Sequence, residues 1–183
     1  MPSHAADAKM LLKSAIRDPN PVIFLEHKAL YRQRAFAARP EPTADELLPL
    51  GKGAIIREGK DVTLITWGLM VSMGVEVAKK LEEEEISVEI IDLRTLIPLD
   101  LSTIFQSIQK TNKVLILHEA PLTCGFGSEI AAQIGENGFP FLDAPVRRLG
   151  GLDICVPYAK ELEEAALPQK ETILQALRAL AHY

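Results

Sequence analysis

The chain has 183 residues, 48% hydrophobic and 25% charged, an ordinary globular composition long enough to bury about two-thirds of its unfolded surface in one compact domain. Its formal net charge is -5, with 20 Lys and Arg scattered among 25 Asp and Glu, so no polyanion-binding face is expected and nucleic acid is not a partner. Cys124 and Cys155 make neither a disulfide framework nor a zinc ligand set, which fits a reducing compartment.

Residues 7–16 place Met10, Leu11 and Ala15 at helical spacing, and Arg17-Asp-Pro-Asn-Pro21 stops that helix with two prolines. Pro21-Val-Ile-Phe-Leu-Glu26 follows as a short buried strand. Residues 34–53 carry Pro40, Pro42, Pro49, Gly51 and Gly53 without apolar periodicity, the composition of a linker, and the domain boundary is set here. The division is residues 1–35, a linker over 36–53, and a main domain over 54–183.

From Asp61 the pattern becomes regular. Strands are expected over residues 62–67, 86–93, 113–117 and 144–149, and helices over 71–85, 99–110, 128–136 and 168–182. Glu82 to Glu85 read as a solvated acidic helix end. Strands alternating with helices of this length imply a three-layer α/β/α sandwich around a mostly parallel sheet, because parallel neighbours need helical crossovers. No run of eighteen apolar residues occurs, and the opening Met-Pro-Ser-His lacks a basic and apolar signal pattern, so neither membrane spanning nor secretion is expected.

Ligands of such sheets collect at the carboxyl ends of the strands, here Gly68, Arg94 and the pair His118-Glu119. Neighbouring strand residues point to opposite faces, so His118 and Glu119 cannot easily act on one atom, and a hydrogen-bonded structural histidine is the expectation. Gly125-Phe-Gly127 before a helix could offer N–H groups to an anion, but it is not the dinucleotide fingerprint; close backbone approach is the simpler use. Arg94 is expected to pair with Asp92 or Asp100, and Cys124 to be a small buried hydrophobe rather than a reactive thiol. The carbonyl of Ala15 with Asp18 and Asn20 forms a hard-oxygen cluster suited to a cation, though ordinary helix termination explains the same residues.

Residues 7–31, Glu58-Gly-Lys-Asp-Val-Thr-Leu-Ile-Thr-Trp-Gly68, Ile91-Asp-Leu-Arg-Thr-Leu-Ile-Pro-Leu-Asp100, His118-Glu-Ala-Pro121 and Leu142-Asp-Ala-Pro-Val-Arg147 resemble the β subunit of the thiamine-diphosphate-dependent 2-oxo acid dehydrogenases. The His-Glu-Ala-Pro block and Leu30-Tyr-Arg lean toward the branched-chain (2-oxoisovalerate) type, whereas Pro157-Tyr-Ala and Leu167-Pro-Gln also resemble pyruvate dehydrogenase.

The resemblance implies that residues 1–35 are a remnant of an N-terminal pyrimidine-binding domain and that 54–183 are transketolase C-terminal-domain-like. The family's activating glutamate and active-site histidine would then lie upstream of the matched segment, so no catalytic or cofactor-binding residue carries over. It aligns Ala15, Asp18 and Asn20 with part of a monovalent (K+) cation site. Thiamine diphosphate and Mg2+ would belong to the parent heterotetramer, with none bound to this chain alone. The implied partners are the α subunit, a second β subunit and the subunit-binding domain of the lipoyl acyltransferase core. The parent would oxidatively decarboxylate a branched-chain 2-oxo acid, in branched-chain amino acid catabolism, or pyruvate. It would sit in the cytoplasm if bacterial and the mitochondrial matrix if eukaryotic, and this chain alone would be inactive. The Leu149–Cys155 run and the last helix are candidate interface surface. The rivals are another thiamine-dependent relative and an independent nucleotide-binding or regulatory α/β domain.

Overall fold

A computed structural model describes residues 1–33 and 40–183. The chain opens with helix α1 (Ala5–Arg17) and a short 3-10 turn (Lys28–Arg32). An alternating core follows: β1 (Ala54–Arg57), β2 (Val62–Thr66), α2 (Leu69–Glu82), β3 (Val88–Asp92), α3 (Leu101–Thr111), β4 (Val114–Pro121), α4 (Phe126–Asn137), β5 (Arg147–Gly151), α5 (Lys160–Ala166) and α6 (Lys170–Ala181).

The sheet order is β1-β3-β2-β4-β5. β2, β3, β4 and β5 run parallel, with Leu64 opposite Ile90 and Leu115, and β1 closes one edge antiparallel. β2 and β3 are buried at every position, as strands covered on both faces must be, and this explains their unbroken apolar runs. On one face α2 and α6 pack Val77, Leu81, Ile173, Leu177 and Leu180 against Leu64, Ile90 and Leu115. On the other, α3 and α4 pack Ile104, Ile108, Ile130 and Ile134 against Ile65, Ile91 and Ile116. The result is the α/β/α sandwich expected from the alternation.

Local chemistry sets the helix ends. Asp100 caps α3 by accepting from the Thr103 N–H at 3.2 Å, and its other oxygen takes the Gly53 N–H at 3.1 Å. Asn112 ends the same helix in the left-handed conformation at φ 59°. Gln169 and Thr172 form a reciprocal capping box that opens α6 just after Pro168.

One expectation needs correction, and two short elements appear that the sequence does not announce. No strand forms over residues 21–26, because a strand requires a hydrogen-bonded neighbour and none of the described residues supplies one. β1 and α5 were not anticipated; the first is only four residues long behind a proline- and glycine-rich stretch, and the second seven. Residues 40–53 of the expected linker contain neither helix nor strand, while 36–39 lie outside the described residues. Among the described residues no helix is long and apolar enough to cross a membrane.

Candidate functional site

The carboxyl ends of β2, β3 and β4 meet at one edge of the sheet, and the chain's own N-terminal segment covers it. At Gly68, where φ is +59°, a side chain would press on the Met1 Cε at 3.2 Å. Asp92, at the end of β3, is fully buried. It accepts the Ser3 hydroxyl and, at 3.0 Å, the Arg94 N–H. Burial pushes the Asp92 carboxyl up to about 6, and the bonds from Ser3 and Arg94 oppose that rise only in part. The Ser3 Oγ also lies 2.6 Å from the His4 Nδ1, so a hydrogen-bonded line runs from the imidazole through the hydroxyl to the buried acid.

Arg94 occupies a left-handed turn at φ 58°. Its guanidinium grips Asp7 of α1 with both arms, Nε to Oδ2 at 2.8 Å and Nη2 to Oδ1 at 3.2 Å. The expectation that it pairs with Asp92 or Asp100 is therefore corrected: Asp92 meets only its backbone, and Asp100 is committed to capping α3. Asp7 is 1% exposed and Arg94's side chain 12%, so this is a buried, bidentate pair that fixes α1 on the sheet. His4, Asp7 and Asp92 bring possible ligand atoms within 4.8 Å of one another. Arg94 and Ser3 already engage the two carboxylates, however, so a cation there would have to displace a guanidinium.

His118 and Glu119 point to opposite faces, as strand geometry requires. Glu119 meets His27, Oε1 to Nε2 at 3.0 Å. His118 is 1% exposed and stacks on Trp67, with ring centroids 5.5 Å apart at 14°, while Phe126 meets the same indole edge-on at 6.3 Å. Three glycines wall it in. A Cβ at Gly127 would come within 2.4 Å of the His118 Nε2, and one at Gly125 or Gly150 within 2.9 Å of its Cε1. Among the described residues neither ring nitrogen meets a partner at hydrogen-bonding geometry, against the expectation of a bonded histidine. Burial holds its pKa below the ordinary value; the Ala120 backbone opposes this in part, and the nearby Arg148 adds a smaller lowering effect. The Gly125-Phe-Gly127 motif is thus used for close packing.

Both cysteines are exposed and unpaired, and Cys124 stands at φ 59°, so it is not the small core hydrophobe expected. The Ala15 carbonyl accepts the Asp18 N–H at 3.3 Å, and the Asp18 Oδ1 accepts both the Asn20 N–H (2.9 Å) and its side-chain amide (3.1 Å). Three oxygen-bearing groups, partly spent on one another, fall short of the about six oxygens a hard cation takes. The last helix is core rather than surface: Ile173, Leu174, Leu177 and Leu180 are buried. Beyond β5, Leu152, Ile154, Val156 and Tyr158 are exposed. Sequence reasoning missed Ser3, Asp7 and His27, whose partners lie 89, 87 and 92 residues away, a separation that no local pattern encodes.

A parallel sheet flanked by helix layers, with an antiparallel edge strand, is the architecture on which the comparisons with known proteins converge. The family model described as "Transketolase, C-terminal domain" matches residues 51–173, and the chain belongs to that family. Among its relatives, the pyruvate dehydrogenase E1 component subunit beta of Rhizobium meliloti (strain 1021) is 43% identical over 182 residues, 100% of this chain and 39% of the relative. The mitochondrial pyruvate dehydrogenase E1 subunit beta-1 of Arabidopsis thaliana is 46% identical over 175 residues, 96% of this chain and 48% of the relative. The mitochondrial 2-oxoisovalerate dehydrogenase subunit beta 2 of the same plant is 45% identical over 183 residues, 100% of this chain and 50% of the relative.

The chain spans about half the length, or less, of these curated relatives. A solved structure described as a split-gene transketolase, an inactive beta4 tetramer, superposes with a TM-score of 0.77 at 27% identity, covering 99% of this chain and 56% of that one. The leaning toward the branched-chain type gains no specific support, since relatives named for pyruvate and for 2-oxoisovalerate match at 46% and 45%.

Proposed function

We propose that this chain is the transketolase-C-like portion of a β subunit of a thiamine-diphosphate-dependent 2-oxo acid dehydrogenase, and that it serves assembly rather than chemistry. The observation that carries the reading is the covered carboxyl edge. Where an open α/β sheet would hold a ligand, Met1, Ser3, Asp7 and His27 dock on Gly68, Asp92, Arg94 and Glu119. Residues 1–35 act in this reading as the joint to a pyrimidine-binding domain, and 54–183 as the body that packs against other subunits.

The residues present do not by themselves fit thiamine diphosphate, so no step of the reaction is assigned to them. The cofactor carries the decarboxylation chemistry when bound in a full assembly, together with Mg2+ and α subunits supplied by other chains. In this reading Ala15, Asp18 and Asn20 form part of a monovalent cation shell whose other ligands belong to the portion of the β-subunit relatives that this chain does not span. The substrate is a 2-oxo acid. Pyruvate has at least as much support from the relatives' names as 2-oxoisovalerate, and the His118-Glu-Ala-Pro121 block is what favours the latter. The exposed row Leu152, Ile154, Val156 and Tyr158 is the face offered to a second β subunit or to the acyltransferase core.

The test is a decarboxylation assay with thiamine diphosphate, Mg2+ and either oxo acid. The purified chain is expected to show no turnover, and activity is expected only on adding the remaining β-subunit portion and an α subunit. Turnover by the chain alone would overturn the reading.

A further inference from the structure

We propose that Ser3 is a proton relay between the imidazole of His4 and the buried carboxyl of Asp92, and that a proton held on this line fastens the N-terminal segment to the sheet edge. The inference stands on the geometry of that segment and does not depend on the functional reading above.

The Ser3 Oγ meets both partners: it lies 2.6 Å from the His4 Nδ1 and donates to the Asp92 Oδ2. Ser3 is 1% and Asp92 0% exposed, so bulk water reaches neither the hydroxyl nor the acid. His4 is half-buried and borders a cavity of about 390 Å³ that Ser3, Glu26, His27 and Tyr31 also line, with room for water to reach the ring. The charged groups around the line come from several elements. Asp7 of α1 is held by both arms of Arg94, the Met1 ammonium donates to the Arg94 carbonyl at 2.6 Å, and Glu26 and His27 share the cavity with His4. The register partners of Asp92, Ala54 of β1 and Thr66 of β2, carry no charge.

A hydroxyl carries one proton, and this fixes the sense of the line. An ionised carboxylate only accepts, so with Asp92 ionised Ser3 donates to it, and the His4 Nδ1 must carry a proton to bond the Ser3 oxygen. With Asp92 protonated the acid donates to Ser3, the Ser3 O–H turns to His4, and Nδ1 becomes the acceptor with the ring proton on Nε2. The transfer balances. The Nδ1–H bond of an imidazolium breaks as a new Ser3 O–H bond forms, and the former Ser3 O–H bond breaks as an Asp92 O–H bond forms. A charged pair becomes a neutral pair through one hydroxyl, and burial of Asp92 favours the neutral form. The docked segment therefore holds that proton more tightly than an undocked Asp92 in water, and docking tightens as the pH falls toward 5.

The test labels the histidine rings of the 183-residue chain with nitrogen-15 and reads the His4 tautomer by NMR from pH 4 to 8, using His4→Gln to assign its signals. At pH 8 the ring proton is expected on Nδ1 in the parent and on Nε2 in Asp92→Asn, whose amide donates to Ser3 and reverses the line. Ser3→Thr, which keeps the hydroxyl, is expected to keep the parent's tautomer. Amide exchange is read at Ala8, whose N–H bonds the His4 carbonyl at 2.9 Å. Corrected for its intrinsic rate, that amide is expected to be about tenfold better protected at pH 5 than at pH 7 in the parent, the factor that follows from one carboxyl raised from 3.8 to about 6. Asp92→Asn is expected to lose this dependence.

The same His4 tautomer at pH 8 in the parent and in Asp92→Asn would overturn the relay. Equal protection of Ala8 at pH 5 and pH 7 in the parent would overturn the fastening.

Discussion

Replacing Asp92 by asparagine tests whether the covered sheet edge is held at a cost. The carboxyl sits fully buried among Ser3, the Arg94 N–H and the nearby Asp7, and its pKa is raised from 3.8 to about 6. A folded-state pKa above the unfolded value means that the folded chain binds the proton more tightly. Its effect on stability is thus most favourable below about pH 4, is lost as the pH rises through about 6, and stays lost at neutrality. A shift of about two units at 1.36 kcal/mol each corresponds to about 3 kcal/mol of destabilisation by the ionised group at pH 7, an order-of-magnitude figure.

Asparagine removes the charge and keeps the geometry: its oxygen still accepts the Arg94 N–H, and its amide donates to the Ser3 Oγ, which then donates to His4. Asp92→Asn is therefore expected to be about 1–3 kcal/mol more stable than the parent at pH 7, with the difference closing toward zero near pH 4. Urea titrations of both proteins at pH 4, 5, 6 and 7 measure this directly. A variant less stable at pH 7, or a gap that stays constant across the series, would show that Asp92 works as an anion paid for by its bonds and not as a buried acid.

Gly127→Ala is expected to cost about 1–3 kcal/mol, because its methyl group would lie 2.4 Å from the His118 Nε2 inside a closed cradle; His118→Ala in the same chain should recover part of that loss, and a double-mutant cycle reads the coupling. Arg94→Ala leaves Asp7 buried without its bidentate partner and is expected to cost about 3–5 kcal/mol, with limited proteolysis near residues 18–33 appearing before the main domain is cut. His118 itself is depressed in pKa by burial, so its contribution is present above its ordinary value near 6.5 and is lost as the pH falls; His118→Phe should flatten that limb of a melting-temperature profile. Cys124→Gly, at a left-handed φ of 59°, is expected to gain about 0.5–1 kcal/mol in denaturant titration.

How much of this was legible in the sequence follows from the range over which each force acts. The sheet was readable because β2 and β3 are buried on both faces, so period and composition reported their environment directly. The Asp100 cap is a local signal of another kind, since its partner Thr103 is three residues away. The carboxyl-edge cluster was not. Asp7 sits in the first turn of α1, where an acid is unremarkable on helix-dipole grounds, and only docking of that helix brings it to Arg94.

The strand over residues 21–26 is the instructive disagreement. Its apolar pattern states that both faces are to be covered, and the fold leaves Ile23 and Leu25 in solvent. A local preference that survives without its tertiary partner is a conflict between levels of structure, and such conflicts concentrate where a protein is built to meet another. The covering segment is anchored through Ser3, Asp7 and His27 at its polar contacts, while its most apolar stretch keeps Ile23 and Leu25 in solvent.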